Sequence, residues 1–195
     1  MGVLGTRAND AVTVLETTLP GALVIEPTVF GDERGFFLER YHATRYADAG
    51  ITATFVQDNH SRSRRGILRG LHFQKLHPQG KLIEVARGRI WDVIVDARPA
   101  SPMFGQWEGF NLSEDNHRQL WVPPGFAHGF CVTSDVADVL YKCTDVYRPD
   151  DEGGIAWDDP DLGIDWPVRD PILSAKDQAH PRLGDLEAED LPHVS

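Results

Sequence analysis

Two side chains that can take part in proton chemistry occur close together in the stretch RGILRGLHFQKLHPQGKLIEV. His72 can act as a base, because the ordinary pKa of imidazole lies near neutral pH. Lys81 opens an apolar run, and period-two alternation places it on one strand face with Ile83 and Val85. A lysine on such a face is more often an edge residue than a catalyst, and a lone histidine in a strand is usually structural. The pair therefore indicates proton transfer beside a positive charge only if other residues support it.

The elements that would position these residues are predicted to be short strands. Turn residues recur between runs rich in Val, Ile, Phe, Trp and Tyr, a pattern typical of an all-β sandwich or barrel. Strands are predicted in TFVQDNHS, GKLIEVARGRIWDVIVDAR, FGQWEGFNL, HRQLWVPPG, HGFCVTS and DVLYKCTDVY, with a hairpin turn at Arg87-Gly88-Arg89. Two short helices are also predicted: HATRYADAG, ended by Gly50, and LSAKDQ, with Ser174 as a candidate N-cap.

Two tyrosines extend the candidate site. Alternation along DVLYKCTDVY places Tyr141 and Tyr147 on one face, together with Val139, Cys143 and Asp145. We therefore expect the two tyrosines to line the same wall.

Length and composition indicate one domain. The chain has 195 residues, of which 41% are hydrophobic, enough to bury one sizeable core. We predict a flexible N-terminal segment over residues 1–15, a single domain over 16–180 and a loose acidic tail over 181–195.

Charge, cysteine content and the N-terminus exclude several classes of protein. A formal net charge of −11 argues against nucleic-acid or anionic-membrane partners, so an anionic ligand would need a local basic pocket. Cys131 and Cys143 lie in apolar runs without C-x-x-C spacing, which predicts buried free thiols in a reducing cytoplasm. The start MGVLGTRAND lacks a signal peptide's apolar core, and no apolar stretch is long enough to span a bilayer. We expect a cytoplasmic protein.

Eight motifs in a fixed order identify a family resemblance. They are FGDERGFFLE, FVQDNHSRSRRGILRGLHFQ, QGKLIEVARGRIWDVIVDAR, SPMFGQW, RQLWVPPGFAHGF, LYKCTDVY, DDPDLGIDWP and LSAKD. From about Thr18 to Asp177 the chain resembles dTDP-4-dehydrorhamnose 3,5-epimerases and related dTDP-4-keto-6-deoxysugar epimerases. Any one motif would be weak, whereas eight in order are specific.

The resemblance implies a fold and an assembly. The expected fold is an all-β double-stranded β-helix, a cupin-like jelly roll, with a few short helices. The expected assembly is a homodimer that exchanges N-terminal strands. Arg34, Phe37 and Glu39 in DERGFFLE match residues that the family's partner subunit brings to the nucleotide. An ordinary dimer interface would also account for them.

The resemblance also assigns catalytic roles. His72 matches the base that removes a proton from the carbon beside the carbonyl, and Asp177 matches the carboxylate paired with it. Tyr141 matches the acid on the opposite face of the sugar, and Lys81 matches the cation placed against the enolate oxygen. No metal or redox cofactor is implied.

Diphosphate binding is expected at Arg69, Gln57 and Asn59, since arginine forks suit phosphate oxygens. In one regular strand Arg69 and His72 would face opposite ways. We therefore predict that Gly70 or a strand end breaks the alternation.

Three further positions match ligand contacts of the family, and a fourth, His128, is expected to contact the substrate on other grounds. Tyr147 matches the aromatic that stacks on thymine, and Glu152 and Lys176 match other contacts, although a surface salt bridge would also explain the latter two. His128 lies in PPGFAHGF, which is similar to the second cupin motif, where a histidine binds metal. Because a cation such as Lys81 would repel a metal ion, we expect His128 to contact the substrate instead.

The sequence predicts an epimerase that inverts carbon 3, carbon 5 or both in a dTDP-4-keto-6-deoxyhexose, with the 3,5-epimerase preferred. An enzyme acting on carbon 3 or carbon 5 alone stays open, as do two hypotheses of other classes. A metal-dependent cupin would need bound iron, manganese or zinc. A non-catalytic sugar-nucleotide-binding protein would not need the set His72, Tyr141, Lys81 and Asp177.

Overall fold

The computed structural model describes residues 6–8 and 12–194, and the regular secondary structure in them is almost entirely β. The strands, in chain order, are β1 Thr6–Ala8, β2 Val12–Glu16, β3 Leu23–Pro27, β4 Val29–Asp32, β5 Gly35–Leu38, β6 Gln57–Arg64, β7 Leu68–Gln74, β8 Lys81–Arg87, β9 Arg89–Asp96, β10 Trp107–Ser113, β11 Gln119–Val122, β12 Phe126–Val132, β13 Val136–Cys143 and β14 Glu152–Gly154. Each of the six predicted strand segments overlaps at least one of these strands. The all-β prediction is therefore confirmed.

The strands form two main antiparallel sheets and a separate hairpin. One sheet has the order β1-β2-β3-β11-β8-β13-β6, the other has the order β10-β9-β12-β7-β14, and β4 pairs with β5. A buried cluster joins the two sheets, because it includes Ile83 and Val139 of the first sheet and Ile94 and Phe130 of the second. Apolar side chains from facing sheets thus form the core of a sandwich.

Helical structure is short and peripheral. The α-helix α1 spans Ala43–Asp48, and the chain leaves it through Gly50 at φ +101°, as the sequence predicts. The second predicted helix is only a 3-10 turn, Asp177–Ala179, preceded by the Ser174 hydroxyl, which accepts a hydrogen bond from the Asp177 N–H at 3.1 Å. Further 3-10 turns span Pro149–Asp151, Leu183–Asp185 and Ala188–Asp190. Among the helices of residues 6–8 and 12–194, none has the length and apolar character needed to cross a bilayer.

The predicted hairpin at Arg87-Gly88-Arg89 is wrong. The chain does turn at Gly88, where φ is +79°, but β8 and β9 belong to different sheets and are not paired. A Cβ atom on Gly88 would lie 2.0 Å from the Val136 carbonyl oxygen, so this sharp passage between the layers requires glycine.

Buried side chains occur in the described parts of both terminal segments. Val12 and Val14 of β2 are buried, within the segment predicted to be flexible, while residues 1–5 and 9–11 lie outside the described residues. Leu183 and Leu191 are buried in a second apolar cluster with Val93 of β9. These leucines cover an apolar face that the five-stranded sheet would otherwise expose, so part of the segment predicted to be a loose tail packs against that sheet, and the predicted domain bounds stay a prediction.

Candidate active site

A cavity of about 310 Å³ lies where the two sheets face each other, and it brings together most of the predicted site. Three of the four predicted catalytic side chains line it, namely His72, Lys81 and Tyr141. The fourth, Asp177, is buried behind His72. Seven of the predicted ligand-binding residues also line the cavity: Gln57, Asn59, Arg69, His128, Tyr147, Glu152 and Lys176.

A β-bulge in β7 turns Arg69 and His72 to the same face. His72 pairs with His128 of β12, and Arg69 pairs with Phe130, so a step of two residues on β12 matches a step of three on β7. The extra residue is accommodated at Gly70, whose φ is +128°. The predicted break in alternation is therefore confirmed.

His72 is held by a buried carboxylate. Its Nε2 lies 2.5 Å from Asp177 Oδ1, and the Asp177 side chain is only 5% exposed. Burial by itself would raise the pKa of Asp177, but hydrogen bonds from His72 and Ser174 hold that pKa below its ordinary value. Asp177 is thus ionised at neutral pH and fixes the Nε2–H tautomer, which leaves the lone pair of Nδ1 to accept a proton.

Lys81 and Tyr141 come from the opposite layer. Lys81 is on β8 and Tyr141 is on the paired strand β13, where Tyr141 lies opposite Ile83 and Cys143 lies opposite Lys81. Burial lowers the pKa of the Lys81 amine, while the negative charge of Asp92 raises it in part. Burial raises the pKa of the Tyr141 phenol, so it is protonated at neutral pH and can act as an acid.

Asp92 is a functional candidate that the sequence analysis missed. It is completely buried on β9, and its carboxylate lies 2.9 Å from His128 Nε2. Burial raises the pKa of Asp92, and the attraction to His128 and Lys81 opposes that rise. Its signal in the sequence was a carboxylate inside the apolar run RIWDVIVD, which a buried strand accepts only when the charge has a partner.

Glu152 organises the outer part of the cavity. Its carboxylate accepts a hydrogen bond from the Tyr147 hydroxyl at 2.8 Å and forms an ion pair with the Lys176 amine at 2.7 Å. The salt bridge considered from the sequence is therefore present, and it lies at the cavity itself. Gln57 contributes to the same region, since its side-chain oxygen accepts a hydrogen bond from the Tyr147 N–H at 2.9 Å.

The structure does not place Arg34, Phe37 or Glu39 in this cavity. Arg34 forms an ion pair with Asp32 beside the β4–β5 hairpin turn, and Phe37 is 68% exposed. Glu39 is bound to Arg45 at 2.7 Å. Their predicted contact with a nucleotide in another subunit stays a prediction.

The chain matches a known protein family over most of its length. A family model described as dTDP-4-dehydrorhamnose 3,5-epimerase matches residues 16–185. The chain belongs to this family. A curated dTDP-4-dehydrorhamnose 3,5-epimerase of Salmonella typhimurium is 54% identical over 87% of this chain and 94% of its own length.

Solved structures agree with the family assignment. The dTDP-6-deoxy-D-glucose-3,5-epimerase of Legionella pneumophila, in complex with dTDP-4-keto-L-rhamnose, matches with a TM-score of 0.91 and 50% identity, covering 94% of this chain and 99% of its own. The chain therefore has the cupin-like β fold of the dTDP-4-dehydrorhamnose 3,5-epimerase family. A dTDP-4-dehydrorhamnose 3-epimerase of Streptomyces niveus is more distant, at 41% identity over 82% of this chain and 78% of its own length.

The arrangement in this member of the epimerase family can move protons on both faces of a bound ring. The imidazole of His72 comes from the five-stranded sheet, whereas the phenol of Tyr141 and the amine of Lys81 come from the seven-stranded sheet. A ligand between the layers would meet the imidazole on one side and the phenol on the other. Arg69 supplies positive charge on the same face as His72, where a diphosphate could bind.

Proposed function

We propose that the protein inverts carbons 3 and 5 of a dTDP-4-keto-6-deoxyhexose, with dTDP-4-dehydro-6-deoxy-D-glucose as the expected substrate. The observation that carries the proposal is the placement of His72 with its ionised partner Asp177 on one wall, opposite Tyr141 and Lys81 on the other. The curated 3,5-epimerases reach higher identity with this chain than the 3-epimerase, which favours inversion of both centres.

In the proposed reaction His72 removes the proton from the carbon next to the ketone. Asp177 stabilises the imidazolium that forms, and the Lys81 ammonium stabilises the oxygen of the enolate. Tyr141 then delivers a proton to the opposite face of the same carbon, and the configuration is inverted. Repetition at the second carbon next to the ketone gives the doubly inverted product.

The nucleotide part of the substrate is proposed to occupy the polar end of the cavity. Arg69, Gln57 and Asn59 would bind the diphosphate, and Tyr147, which is about half exposed, would stack on the thymine ring. Glu152 keeps Tyr147 and Lys176 in fixed positions through the contacts described above.

The protein is further proposed to act as a homodimer that exchanges N-terminal strands. Phe30, Phe36 and Phe37 expose 59%, 63% and 68% of their surface on the β4–β5 hairpin, a costly arrangement unless another surface covers it. Covering by a second copy would bring Arg34, Phe37 and Glu39 to the partner's cavity. Light scattering of the wild type and of Phe30→Ser/Phe37→Ser tests this: a dimer that dissociates in the variant is expected, and a monomeric wild type would contradict it.

A cytoplasmic location stays a prediction from the sequence.

The reaction itself is tested by NMR in deuterated water. dTDP-4-dehydro-6-deoxy-D-glucose is incubated with chelator-treated protein, and the label and configuration at carbons 3 and 5 are followed. Deuterium with inversion at both carbons is expected. Label confined to one carbon would replace the proposal with a mono-epimerase, and label at neither carbon would return the metal-dependent cupin and the binding protein to consideration.

A further inference from the structure

A second histidine lies beside the His72–Asp177 pair, and the proposed reaction gives it no role. His180 follows the 3-10 turn that carries Asp177, and its Nε2 lies 3.8 Å from Asp177 Oδ1. Its ring is edge-on to the His72 ring, with 5.5 Å between the ring centroids. His180 Nε2 is fully buried and has no hydrogen-bond partner. A buried polar nitrogen without a partner costs free energy, so its position needs an explanation.

The position of the His180 ring is fixed by the strand beneath it. A Cβ atom on Gly154 would lie 2.4 Å from His180 Cε1 and 2.5 Å from both ring nitrogens. The His180 ring therefore occupies the space that a side chain at position 154 would need. Gly154 is in turn the β14 partner of His72 on β7. The ring of His180 is therefore packed against the residue that pairs with the base, and its free nitrogen is held near the carboxylate.

We propose that His72, Asp177 and His180 form a site for one transition-metal ion of the Zn²⁺ class, and that an ion bound there stops the epimerase reaction. One nitrogen of each histidine and one carboxylate oxygen lie within 4.8 Å of one another. Zinc takes histidine nitrogen and carboxylate oxygen as ligands at about 2.0–2.2 Å, so the atoms around it are roughly 3.4 Å apart. Asp177 Oδ1 lies 2.5 Å from His72 Nε2 and 3.8 Å from His180 Nε2, and these two distances bracket that spacing. Side-chain shifts of about 1 Å would therefore suffice to place the ligands around a zinc ion.

The donor set also determines which ions can bind. Two imidazoles and one carboxylate suit Zn²⁺, Co²⁺ or Cu²⁺, whereas Mg²⁺ and Ca²⁺ prefer sites built of oxygen atoms. The two nearby lysine ammonium groups do not prevent metal binding by charge repulsion. The charge of Lys81 acts on Asp92, Glu152 and His128 and not on Asp177 or His180, and the charge of Lys176 is compensated by Glu152 at 2.7 Å.

Binding would disable the base by a simple exchange of positions. The ion takes the place of the proton between His72 Nε2 and Asp177 Oδ1, and that proton moves to Nδ1. The imidazole then has no lone pair left for the substrate. This second half of the inference rests on the proposed function, whereas the existence of the site does not.

Titration with Co²⁺, followed by visible absorption, tests the site without any measurement of activity. The wild type is expected to bind one ion with the absorption of a four-coordinate complex, and Zn²⁺ should displace it. His180→Gln removes one ligand and should weaken binding at least about tenfold. His60→Gln is the matched control, because His60 also pairs with a buried carboxylate, Asp138 at 3.3 Å, but is not part of the cluster. It should bind as the wild type does.

His72→Gln removes a ligand from the other side of the cluster and serves as a second variant if His180→Gln does not fold. Equal Co²⁺ affinity in the wild type and in the folded ligand variants, or no bound Co²⁺ at all, would overturn the site.

Inhibition is then followed as solvent deuterium uptake under increasing Zn²⁺, normalised to each variant's own metal-free rate. Wild type and His60→Gln should lose activity reversibly, and His180→Gln should need at least about tenfold more Zn²⁺. If metal binds but deuterium uptake persists, the site stands and its inhibitory role is wrong; an inactive metal-free wild type would refute the proposed function alone.

Discussion

Arg69 and His72 are opposite two residues of β12 that are two positions apart, so both side chains enter the cavity from one face of the sheet. A regular strand would send one of them to the opposite face. The bulge at Gly70 therefore lets one short strand bring the proposed phosphate-binding cation and the proposed base to the same cavity.

Gly70→Ala is expected to damage both stability and activity. The new Cβ would lie 2.4 Å from Gly129 Cα and 2.9 Å from the His128 carbonyl oxygen, at a φ of +128°. Gly66→Ala is the control, because Gly66 also has a positive φ, +78°, but has no heavy atom near the added Cβ. Denaturant unfolding should show a loss of about 1–2 kcal/mol for Gly66→Ala and a larger loss for Gly70→Ala. Equal losses would mean that the backbone contact at the bulge is unimportant.

His72→Ala is expected to lower solvent deuterium uptake by at least about 10²-fold, the usual contribution of a general base. Affinity for dTDP should be nearly unchanged, because dTDP lacks the sugar from which His72 removes the proton. Deuterium uptake by NMR and dTDP binding by calorimetry check the two halves. Loss of dTDP binding in a folded His72→Ala protein would contradict the assignment.

Arg69→Ala, unlike His72→Ala, is expected to weaken the binding of dTDP. The guanidinium lines the cavity, and its Nε donates a hydrogen bond to Ser63 Oγ at 3.0 Å, which holds it in place. Loss of a charge-assisted contact to phosphate should weaken dTDP binding roughly tenfold or more. Calorimetry of the wild type and the variant at low and high salt should show a difference that shrinks with salt. A variant that binds dTDP as tightly as the wild type would place the diphosphate elsewhere.

Tyr141→Phe separates proton removal from inversion. The phenol is expected to act only on the face opposite His72, so its loss should leave some deuterium uptake while inversion stops. NMR that resolves label from configuration at carbons 3 and 5 makes the distinction. Complete loss of uptake would assign Tyr141 a role in removing the proton as well.

Asp92→Asn is expected to move the alkaline limb of the pH–rate profile to lower pH. The Lys81 charge is present below its pKa and is lost as pH rises through it. Burial already lowers that pKa, and Asp92 counteracts the shift, so removing the carboxylate lowers it further. Asp96→Asn is the control, because Asp96 is equally buried on β9 but binds Arg98 and Ser101. An alkaline limb that stays in place in Asp92→Asn would show that Lys81 does not control it.

The sequence predicted those features of the fold that depend on local pattern. Alternation placed Tyr141 and Tyr147 on the cavity wall, although β13 ends at Cys143 and the second tyrosine lies beyond the strand. The same pattern could not reveal which strands pair, so the turn at Gly88 was taken for a hairpin when it is a passage between sheets.

Contacts between distant segments account for the parts of the site that were missed. His180 lies only three residues after Asp177, but it meets Gly154 because the C-terminal segment folds back on β14, and no local pattern encodes that second contact. Asp92 could have been found, since a carboxylate within a buried strand requires a partner. Leu183 and Leu191 are too sparse to predict burial in a segment that is otherwise acidic.

The assignment of His72 to one layer and of Tyr141 to the other has a stereochemical consequence. The gap between two packed sheets, about 10 Å, accommodates a sugar ring. A proton removed toward one layer and returned from the other must arrive on the opposite side of the carbon. Inversion rather than retention is thus built into the architecture of the sandwich, and a variant that retained configuration while exchanging its proton would have to use a single layer for both steps.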